Sequence, residues 1–194
     1  ATALGGITRG VYNIEMTAAY AAIANAGTYT KPILYTQVLD HEGNVLLDNS
    51  TPDTHQVIKD STAALLTSAM QDVITKGTGT AARMANMPVA GKTGTTENST
   101  DLWLSAYTPY YTASVWGGYD SNKPMESMNQ SWHMTLWKNI MERVHEGLPY
   151  KDFTMPASVQ QKTICTQTGL LATSSCPALT EYFAEGTVPS QSCS

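Results

Sequence analysis

The chain has 194 residues, a length that suits one domain with at most a short appendage, and its 42% apolar content can supply a core. A formal charge of −5, with only 14% of residues charged, argues against nucleic acid or an anionic membrane surface as partner. No run of about 18 apolar residues is present to span a bilayer and no signal peptide opens the chain.

The opening ATALGGITRGVYNIEM reads like the interior of a domain. Asn13 is placed to cap a helix through IEMTAAYAAIANA, which stops at Gly27, a natural residue for the left-handed terminal conformation. Lys31 to Leu39 and Asn44 to Asp48 are β-branched and alternating, and the DHEG between them reads as a hairpin turn. Asp60 or Ser61 then caps a second helix, with Leu65, Leu66, Ala69, Met70, Val73 and Ile74 at helical spacing and Lys76-Gly77-Thr78-Gly79-Thr80 ending it. Thr78 and Thr80 read as part of that helix-ending loop.

Three strands follow, over Val89 to Thr96, Leu102 to Tyr107 and Tyr111 to Tyr119. A polar ENSTD loop and a tight Thr108-Pro109 turn join them, which predicts an antiparallel meander. Trp103 and Trp116 read as core or helix-packing residues, and Asp101 as a turn residue or a structural partner of the first strand. Trp132, Leu136, Ile140, Met141 and Val144 mark a last amphipathic helix lying across that sheet. After Gly147-Leu148-Pro149 the periodicity fades, and residues 150–194 read as a loop-rich tail.

All three cysteines, Cys165, Cys176 and Cys193, fall in that tail. One disulfide plus a free thiol, or three reduced thiols, are both open readings. A zinc site is disfavoured, because the tail has no histidine and three thiolates rarely complete a tetrahedral site. His41, His55, His133 and His145 are scattered, with no metal-like spacing.

The residues that carry chemistry are Lys92-Thr93-Gly94-Thr95. A lysine facing a cleft attracts a substrate carboxylate and can shuttle protons between hydroxyls. Threonine hydroxyls beside it can bind the same carboxylate. A glycine removes the side chain that would block an extended peptide pairing along the strand. A backbone N–H near Thr95 can help hold a developing oxyanion. Gly91-Lys92-Thr93 is not a phosphate loop, because Asn86 stands where that pattern needs glycine and no helix follows.

The segments GKTGTTENSTDLWLSAYTP and VWGGYD resemble the transpeptidase domain of class A penicillin-binding proteins. ALGGITRGVYNIEMTAAYAAIANAGTY resembles the family's helix before the hairpin, MQDVITKGTGTAA its next helix end, and CTQTGLLATSSCPALTEYFAEGTVPSQSC the tails of Gram-positive members. The likeness covers nearly the whole chain but only the later part of one such domain. It implies an α+β, β-lactamase/transpeptidase-like (serine acyltransferase) fold: an antiparallel sheet flanked by helices, here incomplete, with residues 1–149 in the transpeptidase domain and 150–194 as its tail.

The family works through three motifs, Ser-x-x-Lys, Ser-x-Asn and Lys-Thr-Gly. Only the third matches in place. No Ser-x-x-Lys occurs in the chain, and Ser127-x-Asn129 comes after Lys92 instead of before it, so it reads as chance. The resemblance implies Lys92 and Thr95 as catalytic residues and Thr93, Gly94 and Thr95 as substrate-binding residues, with no metal and no cofactor. It implies peptidoglycan stem peptides ending in D-Ala-D-Ala and β-lactams as partners. The parent is expected on the extracytoplasmic face of a bacterial membrane, held by an N-terminal anchor outside this chain. Without the nucleophile the chain alone is expected to be inactive, and with part of its sheet uncovered it is expected to be marginally stable or self-associating. A serine β-lactamase, a D,D-carboxypeptidase of the same fold and a penicillin-sensing wall-binding module are the alternatives.

Overall fold

The computed structural model describes residues 6–7, 9–121, 123–125 and 129–193. Its centre is an antiparallel sheet of β5 (Ala90–Thr95), β6 (Asp101–Tyr107) and β7 (Thr112–Gly118), in that order. The expected meander is therefore present. Register is continuous, with Lys92 opposite Ser105, Gly94 opposite Trp103 and Trp103 opposite Trp116.

Because side chains alternate across a strand, Gly91, Thr93, Ala106, Leu104, Ala113 and Val115 share one face. Helix α3 (Trp132–Val144) covers that face with Met134, Trp137 and Met141, and the Trp137 indole N–H donates to the Ala113 carbonyl at 2.9 Å. The other face carries Ala90, Lys92, Gly94, Tyr107, Ser105 and Trp103. Helices α1 (Asn13–Ala24) and α2 (Asp60–Thr75) lie against parts of it, with Met70, Ala90 and Tyr107 as a second core joined by Tyr20, Ile23 and Phe153. The architecture is α+β, a sheet between helices.

Several local expectations need correction. The residue that caps α1 is Tyr12, whose backbone N–H donates to the Glu15 carboxylate at 2.8 Å; Asn13 instead reaches the Ser114 carbonyl of β7. Lys59, not Asp60 or Ser61, stands before α2. α1 ends at Ala24, earlier than read, and Gly27 takes its left-handed φ of +87° in the turn beyond, where a Cβ would collide with the Ile58 carbonyl oxygen. Of the strand read over Lys31 to Leu39 only β2 (Gln37–Leu39) forms, paired with β3 (Val45–Asp48), while β1 (Thr28–Thr30) before it pairs with β4 (Thr54–Gln56). Pro32 has no N–H to donate to a ladder, which is the physical reason for a break there. The DHEG turn holds, with the Asp40 carboxylate accepting from the Glu42 and Asn44 backbone N–H groups at 2.9 Å each. Those bonds favour the ionised form, and the Asn44 side-chain bond does so most, so Asp40 titrates below its ordinary value.

The buried faces of the helices also differ from the reading. On α2 the inward residues are Ala63, Ala64, Thr67, Met70 and Ile74, and Leu66 is exposed. On α3, Leu136, Ile140 and Val144 are 43–48% exposed while His133 is buried. The tail is more regular than loop-rich: β8 (Val159–Cys165) and β9 (Ala178–Ala184) form an antiparallel hairpin. It joins the body where Phe153 packs edge-on against Tyr107 and the Ser158 hydroxyl donates to Asp60 at 3.1 Å.

Candidate functional site

Strand β5 is the edge of its sheet among the described residues, and the four singled-out residues occupy its outer half. Lys92 is exposed, makes no ion pair among the described residues, and folds back so that its ammonium donates to the Thr93 carbonyl at 2.8 Å. Thr93 points to the opposite face and is half-buried. Its hydroxyl lies 2.7 Å from the Thr78 hydroxyl. Thr95 is exposed beyond it, and Gly94 lies against Trp103, where an added Cβ would come within 3.2 Å of the Trp103 Cβ.

The site thus gains a residue that sequence reasoning left in a loop. Thr78 follows α2 in the Gly77-Thr78-Gly79 turn, and its hydroxyl fixes the rotamer of Thr93. Only the three-dimensional return of that turn to β5 reveals the pair. Thr80 lies in a short 3-10 turn over Thr80–Ala82 and shows no such bond.

The far end of β5 is tied down by hydrogen bonds. The Asp101 backbone N–H donates to the Thr96 hydroxyl at 2.8 Å, and its carboxylate accepts from Thr96, Thr100 and the Trp116 indole N–H. Asp101 is therefore the structural partner expected of it. Trp116, however, is 40% exposed and leans on Trp103 with ring centroids 6.4 Å apart, so these two line an open surface beside Gly94 rather than the core. Between β5 and β6, Asn98 and Ser99 take left-handed backbone angles (φ 58° and 53°), a strained turn beside the strand.

Further polar side chains at the end of the sheet serve packing. Tyr107 is fully buried with its hydroxyl 2.8 Å from that of Thr67, and burial pushes its pKa up to about 12. Tyr110 and Tyr111 pack against the buried His145 ring, which bonds to the Thr108 hydroxyl (2.8 Å) and the Met141 carbonyl (2.7 Å). The Met141 carbonyl can only accept, so Nδ1 carries the proton. Ser127 of the Ser127-x-Asn129 coincidence lies outside the described residues. In the tail, the three cysteine sulfurs lie within 4.8 Å of one another, which neither cysteine reading anticipated.

Comparison with known proteins agrees with this fold. The model for the penicillin binding protein transpeptidase domain matches residues 1–142, and that for the C-terminal domain of penicillin-binding protein 1A matches residues 155–194. The chain belongs to the penicillin-binding protein transpeptidase family. Among its relatives, penicillin-binding protein 1A of Clostridium tetani is 36% identical over 95% of this chain and 24% of that protein. Penicillin-binding protein 2D of Bacillus subtilis is 36% identical over 96% of this chain and 28% of its own length. The chain thus spans about a quarter of the curated relatives it matches. Among solved structures, penicillin-binding protein 1A from Haemophilus influenzae shares the fold with a TM-score of 0.82 at 22% identity, over 95% of this chain and 33% of that one. PonA1 from Mycobacterium tuberculosis gives 0.66 at 28% identity, over 75% and 41%.

Proposed function

We propose that the chain is part of a peptidoglycan D,D-transpeptidase and that β5 is its substrate strand. In the reaction, a serine oxygen attacks the carbonyl of the penultimate D-alanine of a stem peptide. The terminal D-alanine leaves with a proton, and the amine of a neighbouring stem displaces the serine to form the cross-link. Lys92 supplies the cleft cation. Thr93 and Thr95 bind the terminal carboxylate, Gly94 lets the peptide lie along the edge, and the Thr95 N–H is one of two oxyanion donors. The serine and the other donor belong to a Ser-x-x-Lys segment that these 194 residues do not contain. By itself the chain is a substrate-binding half-site without turnover.

One observation carries this reading: an exposed ammonium with no carboxylate partner among the described residues, two residues from a glycine on a strand that is the edge of its sheet among those residues. The matches to residues 1–142 and 155–194 support a division into a transpeptidase part (1–149) and a tail (150–194). The substrate is wall polymer, so the site works on the extracytoplasmic face. No described helix is long and apolar enough to cross a membrane. The relatives from Clostridium and Bacillus support a Gram-positive setting.

The test is the second-order rate of β-lactam acylation of the longer protein that carries Ser-x-x-Lys. Lys92→Ala is expected to slow it by about 100-fold or more, in the range of losing one oxyanion-type stabiliser. An unchanged rate sinks the assignment of Lys92.

A further inference from the structure

Residues 150–193 form a hairpin with almost no core. Only Val159 and Cys165 are buried in this stretch. A unit this small and thinly packed ordinarily needs a covalent or metal staple. Its three cysteines sit on three separate pieces of chain. Cys165 ends β8, Cys176 lies in the connection before β9, and Cys193 lies on the last segment, held by its N–H bond to the Leu171 carbonyl at 2.8 Å. Their sulfurs nonetheless lie within 4.8 Å of one another.

We propose that Cys165, Cys176 and Cys193 form a binding site for a soft divalent metal ion, zinc above all, which ties the three segments of the tail together. At a zinc–sulfur distance of about 2.3 Å, tetrahedral geometry sets sulfurs roughly 3.8 Å apart, a closure of no more than about 1 Å from the observed spread. Two features favour an ion over a disulfide. A disulfide joins two of the segments and leaves the third sulfur beside it, where a thiolate attacks and reshuffles the bond. One ion joins all three.

The Thr173 hydroxyl lies 3.3 Å from the Cys176 sulfur. Such an outer hydroxyl can orient a ligating sulfur. With no fourth protein ligand among the described residues, water or a small exogenous ligand completes the shell. The sequence argument against zinc, that three thiolates are too few, is met by that open position.

This proposal is independent of the transpeptidase reading, since its test involves no peptide or β-lactam. The reduced, metal-free chain is titrated with Co²⁺ in the absence of oxygen and then with Zn²⁺. One Co²⁺ per chain is expected, with a thiolate charge-transfer band that Zn²⁺ abolishes. Cys176→Ser and Cys193→Ser, both only half-buried, are each expected to lose the band while keeping the far-ultraviolet spectrum of the native chain. Zinc should also shield all three thiols from alkylation, counted by intact mass, in a readout that needs no variant. Absence of both the band and the shielding overturns the proposal. So does a disulfide that persists when reductant and zinc are supplied together.

Discussion

His133 is the residue whose environment makes the firmest prediction. It is buried against Trp132, and among the described residues neither ring nitrogen makes a hydrogen bond of good geometry. Desolvation disfavours the imidazolium and outweighs a weak backbone contact with Trp103, so its pKa lies below the ordinary histidine value. The unfolded chain then binds the proton more readily than the folded one, so stability rises with pH between the two pKa values. The contribution is fully present above about pH 6.5, the unfolded value, and is lost as pH falls toward the folded one. We expect the melting temperature to drop on acidification from pH 7 to pH 5, and His133→Phe to flatten that drop. An identical profile in the variant would show that other groups carry it.

At the scale of elements, the close approach of β5 to β6 depends on Gly91. A Cβ there would stand 2.4 Å from that of Ala106 and 2.8 Å from the Ser105 carbonyl oxygen, which is rigid backbone. Gly91→Ala is therefore expected to cost about 2–3 kcal/mol in chemical denaturation, at the upper end of overpacking penalties. A loss below about 0.5 kcal/mol would mean that the strands part freely. The same sheet shows what sequence can and cannot reveal. Alternation and the Thr108-Pro109 turn made β5, β6 and β7 legible, because period-two burial and turn chemistry are local signals. The buried side of α3 was legible only at Met141. Leu136, Ile140 and Val144 make the more apolar stripe, yet His133, Met134, Trp137 and Met141 are the buried residues. The motif Lys92-Thr93-Gly94-Thr95 was readable as letters, whereas the Thr78 hydroxyl and the meeting of three cysteines depend on long-range returns of the chain.

For the whole molecule, two unsatisfied surfaces matter. Among the described residues the β5 edge is unpaired, and Leu136, Ile140 and Val144 expose an apolar stripe on the outside of α3. We expect the isolated chain to self-associate, giving a melting temperature that rises with protein concentration. A sharp two-state melt independent of concentration contradicts this. The proposed role of β5, as substrate strand of a transpeptidase whose nucleophile these 194 residues do not contain, is open to direct test. Fluorescent-penicillin labelling followed by intact mass tests it most directly, run on this chain beside the longer protein that supplies Ser-x-x-Lys. The account predicts a covalent adduct on the longer protein alone, lost on Lys92→Ala. An adduct on the chain by itself, or undiminished labelling of the Lys92→Ala protein, would contradict it.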